Sequence, residues 1–285
     1  MDYFKIFKDT LDRSKKTKKS IIYFEKDFLN DSEKPKEQNN FLIEFKCEDV
    51  INVAEKEFDT FSNVCVLNFA SELFPGGGVK KCRGSQEEEI CRRTDLYKNI
   101  SEHSNLYYLA ILPHLAILPH LAILPHLAGL PKANVARGFA DKKKERDYLN
   151  YKIMISNKDY NPFAIFSPEV NILKDDKYKL INRYKTISVI TYASMRYPIL
   201  KHGEYDQFHY DEMNKKIKHL IYIANQNKID VLILGAWGCN VFKNPLHQVS
   251  HLFFENLKNE NNNFKKVVFA INNKHMCDAF EQNFK

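Results

Sequence analysis

The stretch Pro75-Gly76-Gly77-Gly78-Val79-Lys80-Lys81-Cys82-Arg83-Gly84-Ser85-Gln86-Glu87-Glu88-Glu89 constrains this 285-residue chain more than any other. Three consecutive glycines cost backbone entropy and pack nothing, so they mark a place where something must approach the main chain closely. The segment before them, Val64 to Phe69, reads as a short buried strand, and Gln86 to Tyr97 reads as a helix. Strand, glycine loop and helix in that order let backbone N–H groups surround a phosphate. Carboxylates at the helix start are then placed to act on a sugar attached to that phosphate, which points to hydrolysis of a nucleotide-sugar bond. A second reading stays open beside this one. Ser85-Gln86-Glu87-Glu88 fits the S-x-x-E capping box, and Glu87 to Glu89 are favoured by the helix dipole whatever else they do.

Further along the chain, short apolar runs alternate with helical periodicity. Residues 2–14 read as a helix with Phe4, Phe7 and Leu11 on one face, and Ser20 to Phe24 as a strand. Residues 31–40 are polar, contain Pro35 and read as a loop. Ile187 to Thr191, Val231 to Ala236 and Val267 to Ile271 are of buried-strand type. Met213, Ile217, Leu220, Ile221 and Ala224 share one helix face, as do Leu246, Val249, Leu252, Phe253 and Leu257. This alternation predicts an α/β sandwich with a mixed or largely parallel sheet. Ligands in such sheets sit beyond the carboxyl ends of the strands, where both the loop after Phe69 and the one after Leu234 fall.

Six cysteines show no C-x-x-C pair and no zinc spacing, so they read as reduced thiols. The N-terminus has no apolar signal core, and the expected location is intracellular, cytoplasmic or nuclear. A net charge of +7 suits an anionic partner, although a composition biased toward Lys, Asn and Ile explains it first. Arg13 to Lys19 holds five basic residues in seven, which leaves contact with nucleic acid open beside a solvated helix end. Ile111-Leu-Pro-His-Leu-Ala repeats three times to Ala128. A proline every six residues argues against a membrane span. Residues 101–148 therefore read as an inserted low-complexity excursion in a single domain formed by 1–100 and 149–285.

The run Asn68-Phe-Ala-Ser-Glu-Leu-Phe-Pro-Gly-Gly-Gly, followed by Gln86-Glu-Glu, resembles the microbial-type poly(ADP-ribose) glycohydrolases, enzymes of macrodomain fold. Ile165 to Leu173, with its Ser-Pro-Glu, resembles the family's Ser-Pro-Asp strand. Leu234-Gly-Ala-Trp-Gly-Cys-Asn-Val-Phe-Lys-Asn-Pro245 resembles its second phosphate loop. The resemblance covers residues 1–100 and 150–272 in the family's order. It implies a three-layer α/β/α sandwich with a mixed central sheet and an N-terminal helical extension.

It also implies a chemistry. A ribose–ribose bond breaks through an oxocarbenium-like state, so the leaving oxygen needs a proton and the cation needs nearby negative charge. By resemblance Glu88 is the acid that protonates that oxygen and then the base for water, while Glu87 holds ribose hydroxyls. Gln86 supports the loop, and Glu89 points elsewhere. Gly76, Gly77 and Gly78 would offer main-chain donors to a diphosphate on one side, and Gly238, Cys239, Asn240 and Val241 on the other. Phe242 would pack on the terminal ribose, although a core phenylalanine reads nearly as well. Asn68 would bond a ribose hydroxyl or merely close a turn, and Trp237 reads as core rather than as an adenine platform. No cofactor and no metal is expected. The expected partner is poly(ADP-ribose) or another ADP-ribosylated macromolecule, met by a monomer away from any membrane. Lys80, Lys81 and Arg83 depart from the small residues usual in the family at that point. A hydrolase of mono-ADP-ribose on protein or nucleic acid, and a non-catalytic ADP-ribose reader, are the alternatives.

Overall fold

The computed structural model describes residues 1–15, 18–28, 41–81, 84–107, 162–259 and 262–284. In chain order the elements are α1 (Tyr3–Arg13), β1 (Ile21–Phe24), α2 (Glu25–Phe28), β2 (Leu42–Lys46), α3 (Val50–Phe58), β3 (Val64–Phe69), α4 (Gln86–Arg93) and α5 (Leu96–Ser101). After them come β4 (Phe163–Lys174), β5 (Leu180–Tyr192), a small hairpin of β6 (Leu200–Lys201) and β7 (Glu204–Tyr205), α6 (Gln207–Gln226), β8 (Val231–Leu234), α7 (Leu246–Asn259), β9 (Lys266–Ala270) and α8 (Lys274–Gln282). Seven strands form one sheet in the order β1-β4-β5-β3-β8-β9-β2. The β1–β4 and β4–β5 pairs are antiparallel and the other four are parallel, so the sheet is mixed, as expected.

Alternation along the strands divides the core between the two faces. Val64 and Val66 of β3 join Val189, Ile233 and Val268 under α1, α3, α4 and α5. Cys65 and Leu67 join Ile190, Leu232 and Phe269 under α6, α7 and α8. Two apolar layers on one sheet make the three-layer sandwich.

Several expectations shift in detail. The α1 face reading is corrected: Phe7 is buried, whereas Phe4 and Leu11 are exposed. The buried line is Phe7, Thr10 and Ser14, because the helix docks partly by hydrogen bonding, with the Thr10 hydroxyl donating to the Arg92 carbonyl at 2.5 Å. β5 is longer than its apolar signal; the half that pairs β3 is Ser188 to Tyr192, and the preceding residues form a polar ribbon with β4. The Pro168 that interrupts β4 is tolerated because the register shifts between Ser167 and Val170, with Glu169 at φ +57°. Tyr107 lies inside the stretch expected as an insertion, yet it is buried and packs edge-on against Phe163 at 5.5 Å. The loop at 31–40 and the hexamer repeats lie outside the described residues. No helix among the described residues is long and apolar enough to cross a membrane.

Candidate active site

The site begins where β3 ends. Gln86, the first residue of α4, accepts the Phe69 N–H at 2.7 Å and donates to the Leu67 carbonyl at 2.9 Å. Those two bonds fix the helix start against the strand end. Glu87 and Glu88, the next two residues, are both buried beneath the glycine loop.

The glycine loop closes on these carboxylates. Glu87 accepts the Ser71 N–H at 2.7 Å on one oxygen and the Gly76 N–H at 3.1 Å on the other. Glu88 accepts the Gly78 N–H at 2.6 Å on Oε1, and the Ser85 N–H at 2.9 Å together with the Ser85 hydroxyl on Oε2. Gly77 donates to the Phe74 carbonyl at 3.0 Å. All three glycine amides, expected to face a diphosphate, therefore have protein acceptors here.

The glycines are needed for a reason the geometry makes plain. Gly77 has φ +56°, and a Cβ on it would stand 2.7 Å from an oxygen of Glu87 and 2.7 Å from an oxygen of Glu88. Gly76 has φ +71°, and its Cβ would meet the Tyr97 ring at 2.6 Å. The close approach expected of the triple glycine is to the carboxylates.

Burial pushes the Glu87 carboxyl up to about 8, and the charge of Glu88 adds to the rise. The Ser71 N–H, the Asn68 amide and the Gly76 N–H act in the opposite direction and do not cancel it. Glu87 therefore holds a proton at neutral pH. Glu88 does make the carboxylate half of the capping box, so that reading is also true of it. Glu89 points away from the pair, accepting from the Tyr178 hydroxyl at 2.7 Å and from Arg92 at 3.1 Å. Asn68 is fully buried; its amide donates to the Thr191 hydroxyl at 3.2 Å and supports Glu87. Lys80 and Lys81 are exposed at the loop's far end, the Lys80 ammonium standing 5.4 Å from the centre of the Tyr97 ring.

The second loop leaves β8 beside β3. A Cβ on Gly235 would lie 2.8 Å from the Ala270 carbonyl and 3.0 Å from the Phe69 ring, so the chain can pass there only as glycine. Gly238 turns at φ +75°, with Ser194 and Asn244 filling the space a side chain would need. Cys239 gives its N–H to the Ala236 carbonyl at 3.1 Å, and burial pushes its thiol well above the usual range. The N–H groups of Gly238, Asn240 and Val241 have no protein acceptor among the described residues. Val241 is exposed and Phe242 is half-buried at the rim, not in the core. Trp237 is fully buried, its indole N–H donating to the Tyr192 carbonyl at 3.2 Å, so it offers no face for stacking. Among the described residues no three His, Cys, Asp or Glu side chains are grouped to hold a metal.

Two residues that hold this geometry were not singled out from the sequence. Ser71 supplies the N–H that fixes Glu87. Asn244 braces the second loop by donating to the Met195 and Gly238 carbonyls at 2.8 and 3.1 Å while accepting the Tyr205 hydroxyl at 2.6 Å. Both are small polar loop residues, and only their place next to a recognised motif distinguishes them.

Residues 7–116 match the family model described as the catalytic domain of microbial-type PARG, a span that contains the glycine loop and both carboxylates. The structure is similar over nearly its whole length to bacterial poly(ADP-ribose) glycohydrolases. The Thermomonospora curvata enzyme bound to the inhibitor ADP-HPD superposes with a TM-score of 0.71 at 19% identity, covering 98% of each chain. The Deinococcus radiodurans enzyme in complex with ADP-ribose gives 0.67 at 21% identity, covering 97% of this chain and 96% of that one. No curated protein matches the chain. The family match bears out the resemblance read from the motifs, and the superpositions bear out the macrodomain-like fold.

Proposed function

We propose that this protein hydrolyses the ribose–ribose O-glycosidic bonds of poly(ADP-ribose) and releases ADP-ribose. The observation that carries this reading is a pair of adjacent buried carboxylates held by main-chain donors from Ser71, Gly76 and Gly78. Fixed groups of this kind act on a transition state without reorganising when it forms. Glu88 protonates the leaving ribose oxygen, and its carboxylate then takes a proton from the attacking water. Negative charge on the pair stabilises the oxocarbenium-like sugar between these steps. The diphosphate lies against the second loop, where Gly238, Asn240 and Val241 present their amides, and Phe242 packs on the terminal ribose. The described residues on the two sides of the hexamer repeats share one sheet and act as one catalytic domain.

The proton on Glu87 supports a second assignment, in which Glu87 is the acid and Glu88 supplies the charge. The pH profile separates the two. With Glu87 as acid, activity falls as pH rises through about 8, the value its burial imposes, and Glu87→Gln abolishes turnover. With Glu88 as acid, Glu87→Gln keeps measurable turnover, since a neutral amide can still donate to a ribose hydroxyl.

The reading as a whole is tested by incubating the protein with automodified polymer in the presence of a chelator and measuring free ADP-ribose. Release is expected. Activity that disappears in chelator and returns with magnesium would overturn the mechanism.

A further inference from the structure

The mechanism leaves unused a cation that lies between the two loops. Arg196 follows β5, and its guanidinium stands 5.4 Å from the centre of the Tyr197 ring and 5.8 Å from the centre of the Phe242 ring. One of its terminal nitrogens is 3.6 Å from a carboxylate oxygen of Glu72, whose side chain is almost wholly buried. Glu72 is the residue after Ser71, the donor that fixes Glu87. A short covalent and ionic path thus runs from the catalytic pair through Ser71, Glu72 and Arg196 to the ring at the cleft rim.

The backbone at this crossing is strained. Tyr197 and Lys243 both adopt the left-handed region, at φ +52° and +63°, although neither is glycine. Such conformations persist only where the surroundings hold them, and they gather at ligand clamps. Here the Tyr197 N–H donates to the Phe242 carbonyl at 2.9 Å, joining the two strained segments directly. Arginine suits the place because its flat guanidinium lies along aromatic faces while it pairs with a carboxylate, which a lysine ammonium does poorly.

We propose that Arg196 is a positioning residue for glycoside cleavage: by ion-pairing with Glu72 and stacking on Phe242, it docks the second loop onto the first and sets the ring that meets the terminal ribose. This rests on the substrate reading above, in which Phe242 packs on that ribose.

The test is a mutant cycle with an arm that needs no substrate. Arg196→Met and Arg196→Lys are each expected to lower kcat/KM on polymer by about tenfold, the size of coupling between contacting groups, with Lys giving little rescue. In a Phe242→Ala background the same changes should cost less than about twofold, because the ring they act through is gone. Amide exchange at Tyr197 in the ligand-free protein should accelerate in Arg196→Met and in the milder Glu72→Gln. Losses that add fully in the Phe242→Ala background would show direct contact between Arg196 and substrate and would overturn the proposal. So would unchanged protection at Tyr197. If the wild type releases no ADP-ribose from polymer, the substrate reading fails, and the exchange arm still decides whether Arg196 docks the loop.

Discussion

The two glycine-bearing loops stand side by side at the carboxyl ends of β3 and β8, and they use glycine differently. In the first, Gly76 and Gly77 bend so that the main chain can close over Glu87 and Glu88, and the amides of Gly76 and Gly78 point at those carboxylates. In the second, Gly235 and Gly238 let the chain pass close to Ala270 and Ser194, and the amides of Gly238, Asn240 and Val241 have no protein acceptor among the described residues. The first loop holds carboxylates, and in the function proposed here the second receives the diphosphate. Glycine in the two loops therefore says where the backbone must come close, not what it comes close to.

The contrast breaks most visibly with one methyl group in each loop. Gly77→Ala must accommodate a Cβ 2.7 Å from two carboxylate oxygens at a positive φ, so turnover is expected to fall by about 10² or more while ADP-ribose still binds. Gly238→Ala drives its Cβ into the Ser194 hydroxyl at a positive φ and should remove ADP-ribose affinity instead. Calorimetric titration alongside the release assay checks both. Equal loss of affinity in the two variants would erase the distinction between the loops.

The protonated carboxyl gives a pH effect of intermediate size. Unfolded, Glu87 titrates near 4.5; folded, near 8, so the native state holds its proton more tightly. The resulting contribution to stability is complete below about 4.5 and is lost as pH climbs through about 8. Melting temperature should therefore decline toward alkaline pH, and Glu87→Gln should flatten that decline. Parallel curves for the two proteins would place the proton elsewhere.

Much of this was legible in the sequence because the signals were local. Val64 to Phe69 carries five apolar or β-prone residues, interrupted only by Asn68, and forms β3 with those bounds. The helix beginning at Gln86 carries its own cap. What stayed hidden depends on partners distant in the chain. The Leu42–Lys46 edge strand is short and finds its order only by pairing with β9. The apolar stripe of α1 was misjudged because Thr10 and Ser14, polar residues, take the buried face. Which acceptor the glycine amides would meet also could not be read. Phosphate and carboxylate ask the same geometry of the backbone, and only the folded position of Glu87 and Glu88 separates them.

The smallest effect belongs to the exposed end of the first loop. Lys80→Ala with Lys81→Ala should raise KM for the polymer a few-fold at low salt, with the difference vanishing at high salt, because exposed charges are screened beyond about 10 Å at 0.1 M. Stability should hardly move. A salt-independent change would mean that these lysines shape the cleft rather than attract the polyanion.

The division of labour is tested most directly by Glu88→Gln, assayed for ADP-ribose release and for ADP-ribose affinity on the same preparation. The amide keeps the shape and can still cap α4, but it cannot deliver a proton. Release is expected to fall by roughly 10²–10⁴ with affinity nearly unchanged, and Glu89→Gln should leave the rate as it was. A Glu88→Gln protein that releases ADP-ribose at the wild-type rate, with only a small change in melting temperature, would reduce Glu88 to a helix cap and contradict the account.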